Sequence, residues 1–241
     1  MYLFRRLSTN SQPGKCDYLH REVPLLTPRS DLYNTIIEIK VGTFMPKSFF
    51  VHKGVVCFYS GYFRTAANGS FAEAAAGVIN LPTEDPAIVE RFITWVYSRR
   101  FDDPDEGHYT TICKMWAFGD RRQISLLMNT MVDVFRAKYL RIWLAPSDQI
   151  SFIYENTAPD VGLRRLAMHL ISHYGAGTMP KDENKAQWPL DALWDLSKVL
   201  WDSDFQRKKA AATKAELATL DLCQFHSHEE GVQCPKAKET L

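Results

Sequence analysis

Hydrophobic and polar positions first fall into a regular period near Tyr33. Ile37, Ile39 and Val41 alternate with Ile36, Glu38 and Lys40, which predicts a strand with one more polar face. Gly42 to Ser48, with Pro46, reads as a turn, and Phe49, Phe50 and Val51 as the returning strand of a hairpin. The spacing then becomes helical. Val55, Val56 and Tyr59 lie three or four apart, and Ser60 is placed to cap a second short helix carrying Tyr62 and Phe63, which Asn68-Gly69 breaks. Val78 to Leu81 is a short strand-like run closed by Pro82, which has no N–H for a ladder. Asp85-Pro86 opens a helix, with the carboxylate as N-cap and the proline at the first helical position. Ile88, Val89, Phe92, Trp95 and Val96 form its apolar stripe.

Beyond the loop Asp102 to Gly107 the pattern is helical throughout. Tyr109 to Phe118 forms one helix, and Ile124, Leu127, Met128, Met131 and Phe135 the face of a longer one. After Pro146, Ile150, Ile153 and Tyr154 mark another. Leu163, Leu166, Leu170, Ile171 and Tyr174 mark the next, stopped by Gly175 and Gly177. Thr178 to Gln187 reads as a polar loop, and Leu190, Leu193, Trp194 and Leu200 as the apolar face of a further helix. Ser203 with Gln206 matches a capping box opening an alanine-rich helix to about Leu222. Strands first and helices after is an α+β order. It divides the chain into an N-terminal extension (1–29), an α+β domain (30–140), a helical extension (141–222) and a tail (223–241).

Composition narrows the function. Of 241 residues, 46% are apolar and 12% aromatic, enough for a substantial core. The 29 basic residues meet 28 acidic ones, so no basic face invites nucleic acid. Basic pairs at Arg5-Arg6, Arg99-Arg100, Arg121-Arg122, Arg164-Arg165 and Lys208-Lys209 read as solvated surface. No run approaches the ~20 apolar residues of a membrane span, and Met1 to Leu7 lacks a signal-peptide apolar run. Five cysteines, several isolated, do not make a disulfide scaffold. A cytoplasmic or nuclear protein without membrane association is expected. There is no Gly-rich phosphate loop, Gly-x-Ser-x-Gly elbow or catalytic carboxylate pair, and Leu170 after His169 breaks any HExxH motif. An enzyme is therefore not expected.

The side-chain text on this framework resembles a known family. Phe49-Phe50-Val51-His52-Lys53, Val56-Cys57, Ser60-Gly61-Tyr62-Phe63, Phe71-x-Glu73, Val78-Ile79-x-Leu81-Pro82, Asp85-Pro86 and Phe92-Ile93-x-Trp95-Val96-Tyr97 follow in order. Together they resemble the centre of BTB/POZ domains, with a likeness to fungal BTB domain-containing proteins. The resemblance implies a BTB/POZ fold, a small sheet flanked by helices, followed by an α-helical C-terminal extension. It implies protein partners, self-association as a homodimer, and a role as scaffold or cullin adaptor in a ubiquitin ligase complex. Cullin-docking members carry a hydrophobic-x-Glu motif where Phe71 and Glu73 stand. Phe71 either fills a partner's pocket beside a charged Glu73 hydrogen bond, or packs into its own domain. His52 and Cys57 are expected as structural residues, a satisfied imidazole and a buried thiol.

One constellation lies outside that framework. Cys223-x2-His226-x-His228-x5-Cys234 offers two thiolates and two imidazoles, the set that tetrahedral structural zinc prefers. The competing reading is an ordinary tail without metal. A zinc-stabilised regulatory protein, with the helical extension as its working surface, is the alternative to a cullin adaptor.

Overall fold

The computed structural model describes residues 30–69, 72–105, 107–174, 180–201 and 213–228. The expected extension 1–29, the capping residues Ser203 and Gln206, and Cys234 lie outside them.

Among the described residues three strands form one sheet in the order β2-β1-β3. β1 (Ile36–Val41) runs antiparallel to β2 (Lys47–His52), from Ile36 opposite His52 to Val41 opposite Lys47. β3 (Val78–Leu81) runs parallel to β1, with Glu38 opposite Val78 and Val41 opposite Leu81. A parallel pair needs a crossover. Here α1 (Lys53–Tyr59), α2 (Gly61–Asn68) and α3 (Ala72–Ala76) supply it. The alternation in β1 does what the period required: Ile37, Ile39 and Val41 are buried with Val51, Ile79 and Leu81, while Ile36 and Phe50 stand exposed on the other face. The hairpin returns two residues earlier than the aromatic run suggested, at Lys47, and a third helix follows α2.

Capping works as the sequence indicated. The Ser60 hydroxyl accepts from Phe63 N at 3.1 Å and donates to the Arg122 carbonyl at 2.6 Å, so it starts α2 and ties it to the chain at Arg122. Asp85 accepts from Ala87 N at 2.9 Å to open α4 (Pro86–Ser98). The α4 stripe is wholly buried, with Phe92 against Phe63 at 5.7 Å and Phe118 at 5.0 Å between ring centroids.

α5 (Thr110–Arg121) and α6 (Ser125–Ile142) make a helical hairpin. Two buried polar groups brace it, and a third, Arg164, joins the helices that follow. Glu84 takes both Arg121 and Arg122 at 2.9 to 3.0 Å. Lys138, its side chain 2% exposed, meets the Asp103 carboxylate at 2.5 Å and the carbonyls of Asp105 and His108. Arg164 donates to Tyr154 O at 2.7 Å and Thr157 Oγ1 at 2.9 Å. A buried guanidinium or ammonium is tolerable when its donors find oxygens. The expectation that the basic pairs are solvated is thus corrected: Arg122 and Arg164 turn inward, because carbonyls and a carboxylate converge on them, and only the other member of each pair is exposed to solvent.

The extension comprises α7 (Ile150–Asn156), α8 (Gly162–Tyr174), a 3-10 turn at Asp182–Gln187 where a plain loop was expected, and α9 (Leu190–Trp201). Then come α10 (Lys214–Ala218) and a 3-10 turn, Leu222–Phe225. A continuous helix to Leu222 does not form. Thr213 is extended and caps α10 itself, in a capping box with Glu216, and a second cap at Asp221 starts the final turn. One core runs from Ile37 to Phe225 through all of this, so the α+β part and the extension share an interior.

Candidate functional site

The sequence placed its candidate chemistry in two regions. The first is the segment between α2 and β3. Phe71 lies outside the described residues, and Glu73 stands in the first turn of α3. The second is the tail. There the structure brings Cys223 and His228 together, Sγ to Nε2 at 3.6 Å. His226 turns instead toward α6, its Nε2 3.1 Å from Asp133 Oδ1, both side chains essentially unexposed. Among the described residues no three His, Cys, Asp or Glu side chains converge as metal ligands. Burial, and then the neighbouring His226, lower the His228 pKa, which keeps its ring neutral and able to act as a ligand or hydrogen-bond acceptor.

What holds the tail was not anticipated. Asn129, Asp133 and Arg136 sit at i, i+4 and i+7 on one stripe of α6, all buried. Asn129 grips the Ser227 backbone twice, donating to its carbonyl at 3.0 Å and accepting from its N–H at 2.7 Å. Asp133 meets His226, and Arg136 donates to the carbonyls of Ala218 and Leu220 at 3.1 and 3.3 Å. Leu217, Leu222 and Phe225 fill the apolar space between. A Cβ on Gly162 would fall 1.8 Å from the Phe225 carbonyl oxygen, so α8 begins with the one residue that lets the tail pass. The sequence signal was present but faint: polar residues at helical spacing inside an otherwise apolar helix face.

Residues expected to be structural are so. His52 donates its N–H to the Tyr97 hydroxyl at 3.0 Å, with its Nδ1 2.9 Å from the same oxygen and its ring edge-on to Tyr33. Cys57 is buried, its thiol donates to Phe63 O at 3.4 Å, and burial raises its pKa. His169 stacks on His173 at 4.1 Å, and burial with that neighbour pulls its pKa down to about 3. The pair is wedged beside Phe225, whose ring centroid lies 5.7 Å from that of His169.

The surface carries two further features. The outer sheet face and its margin leave Tyr33, Ile36, Phe50 and Tyr97 exposed. α9 exposes Leu190, Leu193, Trp194 and Trp201, while its buried members are Ala192 and Leu196. Three members of the expected apolar face, Leu190, Leu193 and Trp194, therefore point outward, while Leu200 packs against the core. Tyr154 decides this by donating to Asp195 at 2.9 Å, which pins the opposite face inward. Among the described residues no helix is long and apolar enough to cross a membrane.

Comparison with known proteins bears on this arrangement. Residues 34–131 match the family model of the BTB/POZ domain. The matched stretch begins just before β1 and ends inside α6, so α6 belongs both to that domain and to the clamp on the tail. The small three-stranded sheet flanked by helices is a BTB domain, and a helical C-terminal region follows it. Such domains are protein-interaction modules and in general not enzymes. No curated protein matches the chain.

Proposed function

We propose that this chain, with its BTB/POZ domain at residues 34–131, is a self-associating interaction module that serves as adaptor to a cullin-type ubiquitin ligase, in the cytoplasm, the nucleus or both. The observation that carries self-association is the exposed outer sheet face, where Ile36 and Phe50 stand 61% and 70% exposed beside Tyr33 and Tyr97. A contiguous apolar patch on a folded domain marks an interaction surface. The cullin reading is supported by the hydrophobic-x-Glu text of Phe71 and Glu73, ahead of and within α3. The aromatic ring would anchor in a partner's pocket and Glu73 would add a charge-assisted hydrogen bond. Light scattering and cullin capture test both parts. The wild-type chain is expected at twice its own mass, and Phe71→Ala with Glu73→Ala should lose cullin capture while keeping that mass. Capture that survives the double substitution overturns the docking motif, and a monomeric mass at high concentration overturns self-association.

A second reading is favoured by one distance. Ligands on tetrahedral zinc, with Zn–S near 2.3 Å and Zn–N near 2.0 Å, lie about 3.5 Å apart. Cys223 Sγ and His228 Nε2 are separated by 3.6 Å. In this reading Cys223, His226, His228 and Cys234 hold a structural zinc, Asp133 orients the His226 ring as carboxylates do for metal-bound histidines, and the helical extension binds the partner. Metal analysis of the purified chain should then find zinc that Cys223→Ser removes. A zinc-free wild-type chain ends this reading.

A further inference from the structure

The outward face of α9 is laid out symmetrically. Leu190, Trp194, Ser197 and Trp201 follow one another at intervals of four, three and four residues, the spacing of a coiled-coil seam, and the intervals read the same from either end. Leu190 and Trp201 are 81% and 83% exposed, Trp194 is exposed between them, and Leu193 widens the stripe. Ser197 is the one small member. Together with Leu190, Asp191, Leu193 and Trp194 it lines a groove in the surface. Its hydroxyl donates to the Trp194 carbonyl at 2.7 Å, so an apolar ring can cover it without stranding its donor.

One flank of this seam carries opposite charges. Asp191 and Lys198 are seven residues apart, hence on the same side of the helix two turns apart, and both are exposed. Lys198 reaches Asp195 at 2.6 Å, which anchors its ammonium at the margin of the seam, and an ammonium has donors for a second carboxylate. A second α9 laid antiparallel on the first satisfies every part of this face. Trp194 of each copy falls over Ser197 of the other, a large ring against a small residue, and Leu190 over Trp201. Asp191 of each copy meets Lys198 of the other, so the charges complement twice. A parallel copy would set indole on indole and serine on serine. A two-fold contact needs a self-complementary surface, and in the antiparallel sense α9 has one in both shape and charge.

We infer that α9 binds the α9 of a second copy of this chain, the two helices packing antiparallel about a two-fold axis between Trp194 and Ser197. The side chains that one 12-residue helix brings are far fewer than the roughly 20–30 residues a side of a stable interface, so the contact is weak and concentration-dependent. It goes beyond the self-association proposed for the sheet face. That face joins two chains, each pair then displays two α9 helices, and α9 links pairs into larger assemblies, the two contacts reinforcing each other.

Sedimentation of the full chain across a wide concentration range tests this. Twice the chain mass is expected at the dilute end, with the average mass rising as concentration rises. Trp194→Asp should abolish the rise. Asp191→Lys alone and Lys198→Glu alone each set like charges together on both flanks of the pair, and each should move the rise to at least tenfold higher concentration. Mixed in equal amounts, these two variants should recover it, because opposite charges meet again on both flanks, and recovery also shows that both variants are folded. A rise that persists in Trp194→Asp, or single variants that do not recover on mixing, overturns the inference. If twice the chain mass holds at every concentration, this inference fails while the sheet-face reading stands. If the dilute chain is monomeric and its only pairing is lost with Trp194→Asp, the sheet-face reading fails and this inference stands. If the mass never rises and the chain instead binds phosphatidylcholine vesicles in a way that Trp194→Asp removes, the stripe faces lipid and the inference is overturned.

Discussion

α4 and α9 are nearly the same length, 13 and 12 residues, and each reads in sequence as an amphipathic helix with a large apolar stripe. In α4 the stripe is the core: Ile88, Val89, Phe92, Trp95 and Val96 are all buried. In α9 the larger side chains Leu190, Leu193, Trp194 and Trp201 face outward, and the helix is seated by Ala192, Leu196 and the Tyr154–Asp195 hydrogen bond. Equal patterns thus gave opposite burial. α4 is enclosed by the sheet, α1 and α5, so its bulk has somewhere to go. α9 packs against α7 and α8 along one side, and a polar contact from Tyr154 selects that side. A hydrophobic stripe reveals that a helix has a face, and neighbours decide whether that face is interior or interface.

The comparison is open to direct attack. Trp95→Ala should cost about 3 to 5 kcal/mol in urea unfolding, because a fully buried indole leaves a large cavity. Trp194→Ala should stay within about 0.5 kcal/mol, as exposed positions do. A large cost at Trp194 would show that the α9 stripe is covered in the folded protein.

The extension depends on polar fastening more than α4 does, which Asp133→Ala tests. Removing Asp133 takes away the carboxylate that meets the His226 ring inside the fold, at about 3 kcal/mol or more. Limited proteolysis should then cleave near residues 213–228 while the sheet domain stays intact, and unchanged protection would show the clamp to be dispensable.

Acid should loosen the same region. The folded-state pKa of His169 lies near 3, below its ordinary 6.5, so between those values the unfolded chain binds a proton that the native one does not. Stability therefore falls as pH falls through that window. Between pH 7 and about pH 5 the wild-type chain should lose about 2 kcal/mol more than His169→Leu, at roughly 1.4 kcal/mol per pH unit below 6.5. Parallel stability curves for the two proteins would refute this. A smaller effect than these belongs to α4's start, where Asp85→Ala should cost about 1 kcal/mol by removing the cap to Ala87 N.

Much of this molecule was determined by its sequence alone. Period-2 alternation in β1, the caps at Ser60 and Asp85, and the α4 stripe are local facts, and each sets a backbone conformation wherever the chain goes. Ordered matches from Phe49 to Tyr97 therefore indicated the domain that residues 34–131 match. Tertiary structure alone decided which polar residues lie inside and which apolar ones lie outside. Asn129, Asp133 and Arg136 hold a segment some ninety residues away, Arg99 slides between two rings, and α9 shows its tryptophans to solvent. No spacing rule contains these outcomes. The free energy of a buried polar group depends on whether a distant backbone oxygen or side chain arrives to meet it, and only the folded chain supplies that partner.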